Sequence, residues 1–399
     1  MLSFHRFDPA PCGFPAPRVR VLPGLRVASL GLRANRVEPQ ARWFRRGRYA
    51  LAAACRLAGV GRDGSLLAPA YHCRTMLDPA IALGAPVLLY RLLPDLSPDI
   101  GSIGEQLRAA PVPVKALIVP HYFGFRQALG EVAALCRRQG VQLIEDCSHA
   151  LTGLRAGDRQ PTTLGATGDY AIASPYKFLP TPDGGLLWRP SSPLRGARAP
   201  APSAAEQLRA VVDAARSVVG RSASPSVADV QRELEGVRSS RAPDAREWIE
   251  VEDRPSPLYE PLLEETTCLA ATRWIARHAD LDRVVARRRR HFRRWLEAMK
   301  GLSACRPLFA DLPEDCVPYM FPLLIDRPQS DFAVLKRLGV PIWRWDEMAA
   351  SSCAVASRYR LHLLHLPCHQ ELADADVDWM SAAVAAVCGA PASGAQHVA

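Results

Sequence analysis

The sequence predicts an α/β protein whose large domain has a mostly parallel sheet, followed by a smaller α+β domain in the C-terminal third. Three observations support this fold class. Short apolar runs of strand length alternate with amphipathic segments from about residue 45 onward. The final third continues the alternation, with strands predicted at 317–325 and 341–345 and helices at 330–338 and 377–387. The length of 399 residues suits one large domain and one smaller one.

The first half of the chain supplies the predicted parallel strands. Buried strands are expected at 65–68, 86–90 and 114–120, because each is a short apolar run bounded by turn residues or a helix. Two more strands are expected at 141–144 and 170–173. The segment 129–139 carries apolar residues at helical spacing and is predicted to be an amphipathic helix.

Polar residues follow the ends of the last two of these strands. Glu145, Asp146 and His149 come after the run at 141–144, and Ser174 and Lys177 come after the run at 170–173. Ligands of open α/β sheets bind outside the carboxyl ends of the strands. An acid and a lysine at two such ends therefore predict a binding site.

This pair of residue types suits pyridoxal phosphate (PLP). The cofactor needs a lysine amine for its covalent attachment and a carboxylate beside its pyridine nitrogen, so that the ring can withdraw electrons. We expect Lys177 and Asp146 to fill these roles and to be the catalytic residues. Ser174 is expected to bind the phosphate, and His149 to pack over or beside the ring.

Several motifs of the same stretch follow one another in order. They read IEDCSHA at 144–150, G-x-x-GD at 165–169, S-x-x-K at 174–177 and DGG at 183–185. Gly165 and Gly168 are expected to permit close approach of the backbone to the cofactor. The ordered set resembles the DegT/StrS family of PLP-dependent aminotransferases, whose members often act on nucleotide-linked keto-sugars. The resemblance implies a PLP aspartate-aminotransferase-like large domain and a homodimer with active sites at the subunit interface.

The resemblance also assigns residues that precede these motifs. Gly47 corresponds to a small-residue turn whose helix binds the phosphate with its N-terminal amides, but Arg48 stands where the family usually has a hydroxyl residue. Arg48 is expected either to contact the phosphate or to face solvent. Tyr71 or His72 is expected to stack on the ring, although many members carry the stacking aromatic at the position of Cys73. The alternative is that Tyr71 fills the core and His72 caps a helix.

Composition and resemblance together divide the chain into three parts. These are an N-terminal arm at 1–40, a PLP-binding large domain at 41–265, and a connecting helix with the small domain at 266–399. Residues 189–260 are rich in Pro, Ser, Ala and Arg and are expected to form a variable insert or lid, in which the family's Asn-bearing motif is not found. The connecting helix is predicted over 268–298, and its Arg cluster at 287–290 is expected to be a solvated face rather than a ligand site.

Composition also limits the classes of partner. The formal net charge is +10, but Arg, Ala and Pro are abundant throughout and no nucleic-acid-binding motif occurs, so nucleic acid is not expected as a partner. No run approaches the roughly 18 consecutive apolar residues of a membrane span, so no membrane partner is expected. Eleven scattered cysteines without a C-x-x-C pair are typical of reduced thiols, which favours the cytoplasm.

Other interpretations of the site residues are weaker. The S-x-x-K pattern also occurs in serine acyl-enzymes, but these require S-D-N and K-T-G tripeptides, which the chain lacks. A metal site from Glu145, Asp146 and His149 lacks further ligands at a familiar spacing, so no metal is expected. A non-catalytic or regulatory protein that keeps the PLP-binding fold is the main alternative, and retention of both Asp146 and Lys177 argues against it.

The expected function is therefore PLP-dependent transamination. Family members that act as sugar dehydratases can carry histidine in place of the lysine, so Lys177 favours amino transfer. Glutamate is the expected amino donor, and a nucleotide-linked keto-sugar is the expected carbonyl acceptor. Such a reaction belongs to sugar, polysaccharide or natural-product biosynthesis.

Overall fold

A computed structural model of the chain describes residues 2–31, 34–38, 40–155, 164–194, 199–218, 224–239 and 245–389. The strands of this described part are β1 Leu2–Asp8, β2 Arg36–Val37, β3 Arg42–Phe44, β4 Ser65–Pro69, β5 Val87–Tyr90, β6 Val114–Pro120, β7 Gln142–Asp146, β8 Leu154–Arg155, β9 Tyr170–Ala173, β10 Gly185–Trp188, β11 Arg246–Glu252, β12 Cys305–Pro307, β13 Met320–Ile325 and β14 Leu363–Pro367. Its α-helices are α1 Gly47–Ala58, α2 Arg74–Ala82, α3 Ile100–Ala109, α4 Gly130–Gln139, α5 Ala204–Val218, α6 Val230–Ser239, α7 Ala270–His278, α8 Leu281–Ala298, α9 Pro328–Arg337, α10 Ala354–His362 and α11 Asp374–Cys388.

A seven-stranded sheet with the order β3-β10-β9-β7-β6-β4-β5 forms the centre of the first half of the chain. The five strands from β9 to β5 run parallel, and β10 runs antiparallel between β9 and β3. The predicted α/β fold with a mostly parallel sheet is confirmed. Pro120 pairs with Asp146, and Asp146 with Ile172, so β6, β7 and β9 end at one edge of the sheet.

Two apolar cores cover the faces of this sheet. On β6, for example, Ile118 joins the core beneath α1, whereas its neighbour Leu117 joins the larger core on the opposite face. Successive side chains of a strand point to opposite faces, and a strand buried on both faces must therefore be apolar throughout. This is the physical reason why the parallel strands were recognisable as continuous apolar runs.

The C-terminal part of the chain, from α7 to α11, contains a three-stranded antiparallel sheet with the order β12-β13-β14. Helix α11 packs against α8 and α9, and also against α6 from the segment predicted to be an insert or lid. Strand β11, which belongs to the same segment, pairs with β1 of the predicted arm. Strand β1 in turn bonds to the C-terminal part, through His5 N to Met348 O at 2.9 Å and Ala350 N to Ser3 O at 2.7 Å. The division at residues 40 and 265 stays a prediction.

Two predicted elements differ from the structure. The single connecting helix expected over 268–298 is two helices, α7 and α8, because Asp280 interrupts the helix and caps α8 by accepting from Arg283 N at 2.9 Å. The segment 341–345 is not a strand and makes only an isolated bridge between Trp343 and His365. None of the helices in the described part is long and apolar enough to cross a membrane.

Candidate active site

The candidate site begins at the N-terminus of α1, beside the carboxyl edge of the sheet. Arg46 precedes the helix in an extended conformation and makes no side-chain cap, so the first helical N–H groups can receive an anion. A Cβ atom on Gly47 would lie 2.0 Å from Ser174 Oγ and 3.4 Å from Ser148 Oγ. Glycine therefore allows the helix to approach two serine hydroxyls.

The two serines connect the helix terminus to the carboxylate predicted to be catalytic. Ser174 Oγ donates to Ser148 Oγ at 3.1 Å, and Ser148 N donates to Asp146 Oδ1 at 2.8 Å. All three residues are buried. The hydroxyl groups and the carboxylate are therefore held in one connected network at the end of β7.

Asp146 and Lys177 line the same cavity. Asp146 is the last residue of β7, whereas Lys177 closes a 3₁₀ turn, Pro175–Lys177, that follows β9. Within the turn, Lys177 N donates to Ser174 O at 3.1 Å. Lys177 Nζ lies 5.4 Å from the ring centroid of Tyr319, an aromatic residue of the C-terminal part.

The structure brings most of the predicted site residues together. Those that line the cavity are Gly47, Arg48, Asp146, His149, Ser174 and Lys177. They come from three separate segments: the start of α1, the end of β7 with the residues that follow it, and the turn after β9. Their convergence follows from the parallel sheet, because all of these ends meet at one edge.

His149 lies within a group of aromatic rings at this cavity. Its ring centroid is 4.5 Å from that of Tyr319 and 5.7 Å from that of Trp345. Phe123 N donates to His149 Nδ1 at 3.3 Å, which leaves Nε2 as the protonated nitrogen of the neutral ring. Burial, followed by the nearby Lys177 charge, lowers the pKa of His149 well below its usual value. The ring is therefore neutral at physiological pH and offers an apolar face.

Tyr71 and His72 do not line this cavity. Tyr71 is fully buried, and its hydroxyl lies 2.9 Å from His365 Nε2. His72 is also buried, and its Nε2 accepts from Ala349 N at 3.3 Å. We therefore do not include Tyr71 or His72 in the proposed site. Cys73 is the residue of this segment that lines the cavity.

Arg48 is half-buried at the cavity and donates through Nη1 to the carbonyl oxygen of Leu258. Neither expected arrangement, phosphate contact or free exposure to solvent, describes this contact fully. The guanidinium lines the cavity while one of its nitrogens is held by the chain. Arg46 lines the same cavity, and its guanidinium lies 4.9 Å from the ring centroid of Tyr176.

Gly165 and Gly168 were expected to approach the cofactor, but their amides bond to the Glu145 carboxylate. Gly165 N donates to Glu145 Oε1 at 2.5 Å, and Gly168 N to Glu145 Oε2 at 3.1 Å. A Cβ on Gly165 would lie 2.2 Å from the Trp188 ring, so the close approach is to protein rather than to a cofactor. Because Glu145 is occupied in this way, the alternative metal site with Asp146 and His149 is not assembled.

A second buried group of possible metal ligands lies behind the sheet edge. Ligand atoms of His121, Glu145 and Cys147 lie within 4.8 Å of one another. His121 Nε2 and Glu145 Oε1 are already bonded to each other at 2.9 Å, and burial raises the pKa of the Cys147 thiol well above its usual value. A protonated thiol and an occupied imidazole are poor metal ligands.

Sequence reasoning missed the C-terminal contribution to the site. Trp345 lines the cavity, and its ring centroid is 4.7 Å from that of Tyr71. Tyr319 lies beneath the lysine amine. No local pattern marks these two residues, because they enter the site only through the packing of the C-terminal part on the sheet.

The donor set fits PLP. The α1 terminus and the serine hydroxyls form an anion-binding end, in a space that any side chain at Gly47 would fill. Asp146 offers a carboxylate to a ring nitrogen, His149 offers a flat neutral face, and Lys177 offers a primary amine. A phosphate, a pyridine nitrogen and an aldehyde on one ring require this combination of groups.

Solved structures share the fold over most of the chain. TlmJ from Streptoalloteichus hindustanus, an aminotransferase, is 22% identical, with 88% of this chain and 86% of that chain covered and a TM-score of 0.56. PseC from Helicobacter pylori, an aminotransferase involved in the biosynthesis of pseudoaminic acid, is 14% identical, with the same coverage and a TM-score of 0.58. The putative sugar aminotransferase Spr1654 from Streptococcus pneumoniae, in its PMP form, is 14% identical, with coverage of 88% and 86% and a TM-score of 0.58.

Residues 44–195, from β3 to just beyond β10, match the sequence model of the DegT/DnrJ/EryC1/StrS aminotransferase family. This span contains Gly47, Asp146, His149, Ser174 and Lys177. The resemblance inferred from the ordered motifs is thereby confirmed: over its site-bearing segment this chain is similar to the DegT/DnrJ/EryC1/StrS aminotransferases, and its fold is theirs.

Proposed function

We propose that the protein is a PLP-dependent aminotransferase that moves an amino group from an amino acid to a carbonyl acceptor. The observation that carries the proposal is the placement of Lys177 and Asp146 at the ends of neighbouring parallel strands, on one cavity that also includes the N-terminus of α1. The family match supports the same activity. A retained scaffold without activity would not need the lysine and the carboxylate together.

When bound, PLP supplies an electron-withdrawing ring that stabilises negative charge at the carbon beside the transferred nitrogen. We propose that Asp146 holds a proton at the ring nitrogen, with its own orientation set by the bond from Ser148 N. The α1 amides, Ser174 and Ser148 would bind the phosphate. The Lys177 amine would carry a proton from one of the two carbons that flank the transferred nitrogen to the other, as a general base and then a general acid.

We propose a nucleotide-linked keto-sugar as the acceptor and glutamate as the donor. The positively charged mouth formed by Arg46 and Arg48 supports an anionic substrate, since guanidinium groups bind phosphates and carboxylates well. The relation to a protein of pseudoaminic acid biosynthesis is in keeping with a sugar acceptor. A donor test is direct: addition of glutamate to the PLP-loaded protein should convert the cofactor to its aminated form, PMP, with loss of the visible absorption band.

The first test is the absorption spectrum of the protein with added PLP, before and after borohydride. The wild type should show a visible band that borohydride removes while it fixes the cofactor to Lys177, as peptide mass spectrometry would show. Lys177→Ala should lack the band. The matched control is Lys300→Ala, because Lys300 is exposed and far along the chain in the loop after α8.

The same experiment separates the proposed enzyme from a non-catalytic protein of this fold. A wild type without a band, or with a band that Lys177→Ala retains, would contradict the assignment of Lys177. A normal band without conversion by any of a panel of amino donors would contradict amino transfer while leaving PLP binding intact.

We also propose a homodimer in the cytoplasm. Exposed apolar side chains next to the segment that contacts Arg48 support a subunit interface, with Leu258 63% and Leu262 91% exposed. Light scattering after gel filtration should give twice the chain mass, and Leu262→Glu should shift the protein toward monomer. The eleven cysteines are all free thiols, which is in keeping with a reducing compartment.

A further inference from the structure

Arg288 in the middle of α8 is completely buried, contrary to the expected solvated face at 287–290. Its neighbour Arg290 behaves as expected, because its side chain is 57% exposed and pairs with Asp374. Burial lowers the pKa of Arg288 to about 10, so the guanidinium is still charged at neutral pH. A cation in this position requires compensation from its surroundings.

The hydrogen bonds that compensate this charge all go to uncharged oxygen atoms. Arg288 Nη2 donates to Lys177 O at 3.0 Å and to Phe178 O at 3.5 Å. Nη1 donates to Pro318 O at 3.1 Å and to Tyr319 O at 2.9 Å. Nε donates to Gln370 Oε1 at 2.9 Å. The planar guanidinium therefore holds two separate backbone segments and one side chain at fixed spacing.

Gln370 supports the same arrangement from the other side. While its Oε1 accepts from Arg288, its Nε2 donates to Phe178 O at 2.7 Å. The Phe178 ring lies under the guanidinium, 4.5 Å from centroid to Cζ. The carbonyl groups of Lys177 and Phe178 are thus held by Arg288 and Gln370. The Phe178 ring adds a cation–π contact with the same guanidinium.

The second segment held by Arg288 carries the surface beneath the lysine amine. Tyr319, whose carbonyl accepts from Arg288, places its ring 5.4 Å from Lys177 Nζ and 4.5 Å from the ring of His149. One guanidinium therefore fixes the backbone of the lysine and the backbone of the aromatic residue below it. The distance between them is set by the rigid spacing of Nη1 and Nη2.

A methionine at position 288 would bury no charge, but it would leave the carbonyl oxygens of Lys177, Pro318 and Tyr319 without this donor. Arg288 therefore stabilises the packing of the two segments, and its planar guanidinium also sets the position of one segment relative to the other. We propose that Arg288, oriented by Gln370, is a positioning residue that holds the Lys177 amine in its reactive position and couples the C-terminal part to the lysine turn. This inference rests on the proposed function only in taking Lys177 as the reacting amine.

The test compares Arg288→Met and Arg288→Lys with Arg290→Met, a matched control on the same helix. In the PLP-loaded enzyme, Arg288→Met should lower kcat about 100-fold, the scale of a displacement of roughly 1 Å at a reacting group, with little change in KM for the donor. Arg288→Lys keeps the charge but cannot hold both segments, so it should remain well below wild type. Arg290→Met should be unchanged.

The chemical reactivity of Lys177 in the PLP-free protein shows whether Arg288 positions this amine, independently of enzyme activity. The chain has four lysines, Lys115, Lys177, Lys300 and Lys336, so acylation of the PLP-free protein can be followed at each by peptide mass spectrometry. Across a range of pH, Arg288→Met should change the labelling rate of Lys177 relative to the other three. Unchanged Lys177 labelling and unchanged kcat in a folded Arg288→Met protein would overturn the inference.

A second variant covers the case in which Arg288→Met does not fold. Gln370→Met keeps Arg288 but removes the acceptor for Nε and the donor to Phe178 O. It should lower kcat and alter Lys177 labelling in the same direction, though less. If wild type lacks both PLP binding and amino transfer, the proposed function fails, whereas the labelling comparison still decides whether Arg288 positions Lys177.

Discussion

Glu145 and Asp146 are consecutive carboxylates at the end of β7, yet they face opposite sides of the sheet and have different surroundings. Glu145 is fully enclosed and accepts hydrogen bonds from His121 Nε2 at 2.9 Å and from Thr167 N at 3.0 Å, besides those from two glycine amides. Asp146 accepts from Ser148 N and lines the cavity. One carboxylate has its acceptor capacity filled by protein, and the other keeps capacity for a ligand.

The hydrogen bonds around Glu145 set both the tautomer of its partner His121 and its own pKa. Gln127 N donates to His121 Nδ1 at 3.0 Å, so the neutral imidazole must carry its proton on Nε2 and donate it to Glu145. Burial opposes ionisation of Glu145, but the hydrogen bond and electrostatic contribution of His121 and the amides of Gly165 and Gly168 outweigh it and lower the pKa of Glu145. The hydrogen-bond donors around two neighbouring acids of one motif can therefore give one acid a structural role and leave the other free to bind a ligand.

The largest effect is expected from Asp146→Ala. Loss of a carboxylate beside a developing charge should lower kcat/KM of transamination by about 10³-fold, the scale of one buried charge partner. The melting temperature should change little, because Asp146 makes few bonds to protein. Steady-state kinetics with parallel thermal melting would check this; near-normal turnover would reject the assignment of Asp146.

The reverse pattern is expected for Glu145→Ala. Removal of this carboxylate leaves the imidazole of His121 and three backbone amides without a partner, which should cost roughly 3–5 kcal/mol of unfolding free energy. Urea unfolding would measure the loss. If Glu145→Ala is as stable as wild type but inactive, the division between the two carboxylates drawn here is wrong.

A pair of glycine substitutions should sharpen the same contrast. In Gly47→Ala the new Cβ meets Ser174 Oγ, so PLP affinity should fall about tenfold, the scale of one lost hydrogen bond to a charged group. In Gly168→Ala the new Cβ meets the backbone oxygens of Tyr170 at 2.7 Å and Leu143 at 2.9 Å, which should cost roughly 1–3 kcal/mol of stability instead. Fluorescence titration with PLP and urea unfolding of both variants would show whether Gly47→Ala loses mainly PLP affinity and Gly168→Ala mainly stability.

The smallest effect is expected from acid. The pKa of Glu145 is lower in the folded chain, so its stabilisation is complete above the ordinary carboxyl pKa of about 4.3 and is lost as pH falls from there through the folded pKa. Each unit of lowering contributes about 1.4 kcal/mol. The stability advantage of wild type over Glu145→Gln, measured by urea unfolding, should therefore shrink below about pH 4.3; a constant advantage would contradict the lowered pKa.

The parts of the fold that could be predicted from sequence share a property. The strands at 114–120 and 170–173 were predicted with the bounds that β6 and β9 have, because strands buried on both faces are continuous apolar runs. The single helix predicted over 268–298 was wrong, because the chain breaks at Asp280. In the sequence, an aspartate that caps a new helix looks the same as an aspartate on the polar face of one long helix.

The candidate site was predictable to the same extent and no further. Asp146, His149, Ser174 and Lys177 lie within one ordered set of motifs, and strand ends of a parallel sheet converge by construction. Gly165 and Gly168 were expected to approach the cofactor but bond to Glu145, because a glycine-rich turn does not show whether it will face a ligand or a carboxylate of the protein. Tyr71 or His72 was predicted to stack on the ring, whereas the residue of this segment that lines the cavity is Cys73, one position beyond His72.

The fold class, the family resemblance and the acid–lysine pair follow from the sequence alone, since they depend on apolar periodicity and on residues close together along the chain. The burial of Arg288 against the lysine turn, and the approach of Tyr319 and Trp345 to the site, depend on long-range packing. Arg288 lies 111 positions from Lys177, and no local pattern records which of several arginines on one helix meets a carbonyl of another segment. Packing of the C-terminal part on the sheet makes that choice.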